Sequence, residues 1–338
     1  MMKTIQISEP INDPLEESNF HSIKTSLYNR QGINYIEFKK TIKPDFLKIW
    51  IDISAGWLAL AACIFGSMYI LTDVQNLLIK ICFCITDAIL VGFIISYLVN
   101  FFHEAAHYNI ARTKSKNDRL ANIFLGILQA QGIKHYRIVH WKHHIHHGTI
   151  DDTERSYFNA LTFRFFFENL TGLNALKIFL FRNNEVAKAI ENKNLINIKE
   201  GRIMLIAGLA FHLSAISVLT ALGHYWTVGI WIAGFGIFFP FFSSLRQLLE
   251  HRSDIADRKL NYSKTNHGRI TRILSTGLFS SIYGSAGFNR HLLHHLEPQI
   301  SYTNLKQLEA FLLETSIAPH VKRQKTSYRK VFTKLLGK

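Results

Sequence analysis

Four apolar runs of membrane-spanning length constrain this chain more than anything else in it. They lie at roughly 49–72, 77–102, 203–222 and 226–248. A bilayer core of about 30 Å takes about 20 residues of helix. The expected fold is therefore an all-α integral membrane protein with four transmembrane helices, the last kinked at Pro240. Composition agrees. Hydrophobic residues make up 48% of the chain, yet its net charge is +15. The two numbers are compatible if the apolar residues are gathered in spans and the basic ones lie outside them. Asp87 falls inside the second run and must find a partner or a polar cavity.

The spans divide the chain into a polar tail (1–45), a membrane domain (46–315) and a basic C-terminal tail (316–338). Pro10 and Pro14 argue against helix at the start of the first tail. The first twenty residues are polar and acidic, unlike a secretory signal. Residues 120–133 are apolar but too short to span and read as a re-entrant or interfacial helix. Residues 161–182 mix aromatics with Arg164, Lys177 and Arg182; a helix on the membrane surface and an ordinary buried helix suit them equally. The cysteines (Cys63, Cys82, Cys84) sit in apolar stretches and form no metal spacing. All but two of the 39 Lys and Arg, Lys80 and Arg246, lie outside the spans, and the connections at 73–76 and 223–225 hold none. The positive-inside rule then places both termini in the cytoplasm. The basic residues are read as membrane-retaining or donor-docking, with no nucleic-acid partner.

Histidine carries the chemistry. Six of the seventeen histidines fall between His135 and His147. His140, His143 and His144 stand at i, i+3 and i+4, one face of a helix, where neutral imidazoles can converge on a metal. The pattern recurs: His103 and His107 form an H-x3-H pair, and His291, His294 and His295 repeat H-x-x-H-H. His251 follows Gln247 by one turn. These nine candidate ligands are too many for one ion and suit two. With four spans all nine fall on one side, that of the termini. Glu104 either orients a ligand histidine or is ordinary surface charge. His143, His146 and His147 offer a second H-x-x-H-H frame; in the preferred first frame His147 lies beside the ligands or on the surface. His135 and His267 read as surface histidines, and His212 as hydrogen-bonded to a neighbouring helix.

From Trp50 to Leu312 these residues resemble the membrane fatty acid desaturase family, marked by three histidine boxes around four spans. His103–His107 resembles the first box. His140, His143 and His144 resemble the second, with Asp152 and Glu154 as the acidic pair that follows. Arg246–Arg252 (RQLLEHR) is similar to a motif of one bacterial branch, and Asn289, His291, His294, His295 and Pro298 resemble the third box. The third box departs from many relatives in lacking a Glu before its last two histidines, and Arg290 stands where tyrosine is common. The resemblance implies a cytoplasmic helical cap holding two non-haem iron ions, with O2 as co-substrate. It implies that Gln247 touches the centre directly or through water. It also implies an acyl chain in a tunnel between the spans, carried as acyl-CoA, on acyl carrier protein or in a lipid. No catalytic residue beyond the metal centre is expected.

An unactivated methylene C–H bond is beyond side-chain acid–base chemistry and calls for metal and O2. The chain has no dinucleotide fingerprint and no four-cysteine cluster. Electrons must then come from an external donor such as a ferredoxin or a small haem cytochrome. Desaturation leads; hydroxylation, ketone formation or decarboxylation of a lipid or specialised metabolite is the nearest alternative on the same scaffold. A membrane zinc hydrolase needs fewer ligands, and a transporter would carry its ionisable residues inside the spans. The compact chain without a fused donor domain points to a bacterial inner membrane.

Overall fold

The structure, a computed structural model, describes residues 13–178, 180, 181, 184, 198–274 and 277–337; Pro10 and Arg182 lie outside the described residues. Two short helices, α1 (Glu17–Ile23) and α2 (Tyr35–Thr41), precede the first long one, α3 (Phe46–Asp73). Next come α4 (Leu77–Ala106), α5 (Lys114–Phe124), α6 (Ile133–His146) and α7 (Phe163–Leu170). The other two long helices are α8 (Ile198–Ala221) and α9 (Tyr225–His251). The C-terminal region holds β1 (Ile273–Leu274), α10 (Leu278–Tyr283), α11 (His291–Leu296), α12 (Tyr302–Leu312), α13 (Ala318–Arg323), β2 (Lys325–Thr326) and α14 (Tyr328–Leu336). Among the described residues the fold is all-α but for two short strands, which pair in parallel.

α3, α4, α8 and α9 are long and apolar enough to cross a membrane. Each overlaps a run read from the sequence. Side-chain caps set two of the starts: Asp45 accepts from Lys48 N (3.0 Å) and Asn76 from Ile79 N (3.1 Å). Large apolar side chains on α3, such as Leu58, Phe65 and Tyr69, remain exposed, as a lipid-facing surface requires. Asp87 meets the Cys63 thiol, the partner its position called for. In α9 the irregularity begins before Pro240: Gly234–Phe238 form a π turn. This wider turn absorbs the missing proline N–H. It also lies against Gly92 of α4, where a Cβ would come within 2.4 Å of Phe238 Cβ. Glycine at 92 is what lets α4 and α9 approach here.

The apolar stretch 120–133 is not one helix. α5 ends at Phe124, a 3-10 turn covers Gly126–Gln129, and Ala130 is left-handed (φ 51°). Leu125 and Leu128 are buried, and His212 of α8 bonds to Leu128 O (3.1 Å). Of the two readings of 161–182, the described part fits the surface one: Phe163, Phe167 and Arg164 on α7 are all exposed.

Both regions read as tails are folded where described. Leu15, Phe20, Leu27 and Tyr35 form one core with Leu292, Leu293 and Leu296 of α11. Their spacing has no helical or strand period, so only the distant partner reveals their role. In the C-terminal segment Tyr328, Val331 and Leu335, at i, i+3 and i+7, pack with Leu248 and Leu249 of α9. The N-terminal cap is fastened by Glu297, which pairs with Lys24 (2.7 Å) and Lys39 (2.5 Å). Burial pushes the Glu297 carboxyl up, but the two ammonium groups outweigh it and hold it below its ordinary value. Its stabilising contribution is therefore complete above an unfolded carboxyl pKa of about 4.3 and is lost as pH falls through the lower folded value. We expect limited proteolysis between residues 13 and 45 to rise on acidification into that range. Glu297→Gln should show the same cleavage at neutral pH; an uncleaved variant would contradict this anchoring role.

Candidate metal centre

Four elements deliver the histidines. His103 lies in the last turn of α4 and His107 at its C-cap. α6 carries His140, His143 and His144; α9 ends in His251; α11 carries His291, His294 and His295. Arginines fix two of these helix ends by capping their free carbonyls. Arg137 of α6 donates to Ala106 O (2.8 Å) and Ala105 O (3.2 Å) at the end of α4, and pairs with Asp118 (2.6 Å). It also stacks 3.8 Å over Tyr108, whose left-handed backbone (φ 63°) turns the chain away from α4. Arg272 donates to Leu249 O and Glu250 O (both 3.1 Å) at the end of α9, while its own carbonyl accepts from Leu292 N (3.1 Å). One residue thus ties His251 to the third box.

All nine candidate ligands are buried, and they sort into two groups. His103, His107, His140, His144 and His294 form the first; His143, His251, His291 and His295 form the second. Within the first, Nε2 of His140 is 2.9 Å from that of His107 and 3.0 Å from that of His144. Within the second, His291 Nε2 lies 2.9 Å from His251 Nε2 and 3.2 Å from His295 Nε2. Metal–imidazole bonds of about 2.0–2.1 Å, meeting at right to tetrahedral angles, place two nitrogens about 2.8–3.4 Å apart. Three of the outer nitrogens are held as metal ligands usually are, while Nδ1 of His107, His144, His291, His294 and His295 has no hydrogen-bond partner among the described residues. His143 Nδ1 meets Asp152 (2.8 Å), His140 Nδ1 meets Glu154 (3.1 Å), and His251 Nδ1 donates to Ile270 O (3.0 Å). Meanwhile His143 Nε2 and both ring nitrogens of His103 are buried without a partner among the described residues; ions would satisfy His143 Nε2 and one nitrogen of His103.

Electrostatics fit the same role. Burial, then neighbouring imidazoles, hold His107, His144, His291, His294 and His295 well below the usual histidine range, hence neutral and free to ligate. His143 differs: burial pushes it down, but Asp152 and Glu154 outweigh burial and hold it at about 9. The residues present fit two metal ions.

The residues placed beside the ligands divide. Gln247 donates to Glu154 and accepts from Ser156 N (3.0 Å), so it positions the carboxylate behind His140. Glu104 is buried and accepts from Tyr302 N (3.1 Å), which ties α4 to α12 rather than orienting a histidine. Asn289 is buried in the turn before α11, its backbone N–H donating to Gly284 O (3.1 Å). His147 is buried with its ring 4.5 Å from that of His251, outside both groups. His267 is not on the surface. It is buried, accepts from Ser253 N (3.2 Å), donates to Gly268 O (3.0 Å), and burial pushes it down to about 4. His135 is half-buried in a cavity wall. Glu17 was not foreseen. It stands on α1 within 4.8 Å of ligand atoms of His144 and His295, one from each group. Nothing in its sequence surroundings signals this, because the segment reads as a tail.

A cavity of about 440 Å³ opens against the centre. His103, Glu154 and Gln247 line it, as do Val99, Leu205 and Phe239 of the long helices. A comparison with curated proteins finds no match. The fatty acid desaturase family model matches residues 81–326. That stretch contains all nine histidines and most of the chain, and the chain belongs to the fatty acid desaturase family.

Proposed function

We propose that this protein is an oxygen-dependent desaturase that introduces a double bond into a fatty acyl chain. The observation that carries the reading is the pairing of two buried histidine groups with a cavity that runs from His103 of the first group to the long helices. The ions would be two irons, one held by His103, His107, His140, His144 and His294, the other by His143, His251, His291 and His295. Bound iron would supply the O2 activation that no side chain here can. The protein's own part is positional. Asp152, Glu154 and Ile270 O hold ligand rings in one tautomer. The long helices exclude water from the reacting methylenes, and the cavity wall sets which carbons face His103. Removing two hydrogens while O2 becomes water consumes two electrons and two protons from outside. We assign the electrons to an external ferredoxin or small haem cytochrome docking on the basic face, which we place in the cytoplasm by the positive-inside rule.

The test is a mass-spectrometric profile of lipids and free acids from cells expressing the wild-type chain or His143→Ala, grown under isotopically heavy O2. The expected product is lighter than its parent by two hydrogens, unlabelled, and absent with the variant. A labelled product would replace this reading with hydroxylation at the same site.

A further inference from the structure

Most polar side chains in the cavity wall are engaged. Arg246 pairs with Glu250 (2.6 Å), Ser243 meets Ser96 (3.2 Å), and Asn100 donates to Ser285 (2.9 Å). Apart from the candidate ligand His103 and the Nε of Arg246, the exceptions are Gln129 and His135. Gln129 Nε2 and His135 Nε2 are buried and without a hydrogen-bond partner among the described residues. The metal groups do not use them. The histidine's place is built: a Cβ at Gly201 would lie 1.8 Å from His135 Cε1, so only glycine admits the ring against α8. Arg202, one residue on, lines the same cavity and is exposed. The acid nearest to it in sequence, Glu200, is engaged by Lys134 (2.9 Å) and Asn122 (3.1 Å). Leu205 on the next turn also lines the cavity and is exposed, so the mouth opens beside the start of a membrane-spanning helix.

We propose that Gln129, His135 and Arg202 form a recognition site for an oxyanionic head group, carboxylate or phosphate, on an alkyl chain. The chemistry of the donors selects this class. An amide NH2 and a guanidinium only donate, and a neutral imidazole with its proton on Nε2 donates as well. Three donors and one positive charge match an anionic oxygen group and leave an uncharged chain end underpaid in hydrogen bonds. Because the cavity also reaches His103 and Gln247, a head group fixed there sets the register of the chain against the centre. The inference rests on the desaturase reading for the alkyl part and adds the polar end of the substrate.

The test is binding of four probes to the full-length, iron-loaded chain in nanodiscs: hexadecanoate, hexadecyl phosphate, methyl hexadecanoate and hexadecanol. The anionic probes should bind at least about tenfold more tightly than the uncharged ones, the worth of one charged hydrogen bond. Which anion binds more tightly distinguishes a free acid from a phosphate-bearing lipid. Arg202→Met and Gln129→Leu should each erase most of the preference by weakening the anionic probes more than hexadecanol; Arg202→Lys should restore part of it. Arg202 is exposed, so its replacement leaves folding intact. Equal binding of all four probes, or a preference that survives both substitutions, overturns the head-group site and leaves the desaturase reading standing. Failure of every alkyl probe to bind overturns both.

Discussion

Replacing His251 with alanine should leave the protein with about one tightly held iron per chain and with product at background. His251 stands outside the three boxes, yet it is one of only four histidines in the second group. Its loss leaves three. Removing even an outer partner of a metal ligand costs about 10–100-fold in affinity or activity, so losing a ligand itself should exceed about 100-fold. Global unfolding is not the expected cause. Arg272 still caps the end of α9, and the lost bond to Ile270 O is worth only about 1 kcal/mol. His267→Ala is the matched control: also buried, also hydrogen-bonded, and in neither group. It should keep both irons. Iron counted on purified protein, beside thermal unfolding, separates the two. A His251→Ala protein with two irons and full product would remove this residue from the centre.

The candidate ligands are legible because the chemistry imposes a local pattern. An H-x-x-H-H or H-x3-H spacing on a helix aims rings at one point whatever the rest of the chain does. The spans were legible for a similar reason, since bilayer thickness is written as run length. What escaped depends on contacts between residues far apart in sequence. Leu15, Phe20 and Tyr35 look like stray apolar residues in a polar tail until α11 is placed beside them. The arginine caps were hidden likewise, because Arg137 and Arg272 look like any other basic loop residues until their carbonyl partners are known. His267 was misread because nothing local tells a buried histidine between Tyr157 and Tyr262 from an exposed one. The π turn has a weak signal in the glycines before Pro240, but its position follows from the meeting of Gly92 and Gly234.

Asp152 is expected to be the most sensitive position outside the candidate ligands, because one buried carboxylate gathers several donors. Its carboxylate is fully buried and accepts from His143 Nδ1 (2.8 Å), Tyr157 OH (2.5 Å), Glu154 N (2.8 Å) and Gly148 N (3.2 Å). Every neighbour is a donor, so the site is built for a group that only accepts. Asp152→Asn keeps the shape but turns an NH2 toward at least one of those donors and removes the charge. The charge matters most at His143, where Asp152 is the largest of the influences that overcome burial. Without it the ring's Nδ1–H loses its anionic acceptor, and its Nε2 becomes a poorer ligand. We expect iron affinity at the second group to fall about 10–100-fold, and stability by about 1–3 kcal/mol for the buried donor left unpaired. Glu154→Gln should cost less. That carboxylate is partly exposed, so less polarity is left buried and uncompensated. The measurement is iron retained after timed exposure to a chelator, with thermal unfolding alongside. Loss of iron in the order Asp152→Asn, then Glu154→Gln, then wild type is the expected ranking. An Asp152→Asn protein that holds iron as the wild type does would show that Asp152 serves the fold and not the metal.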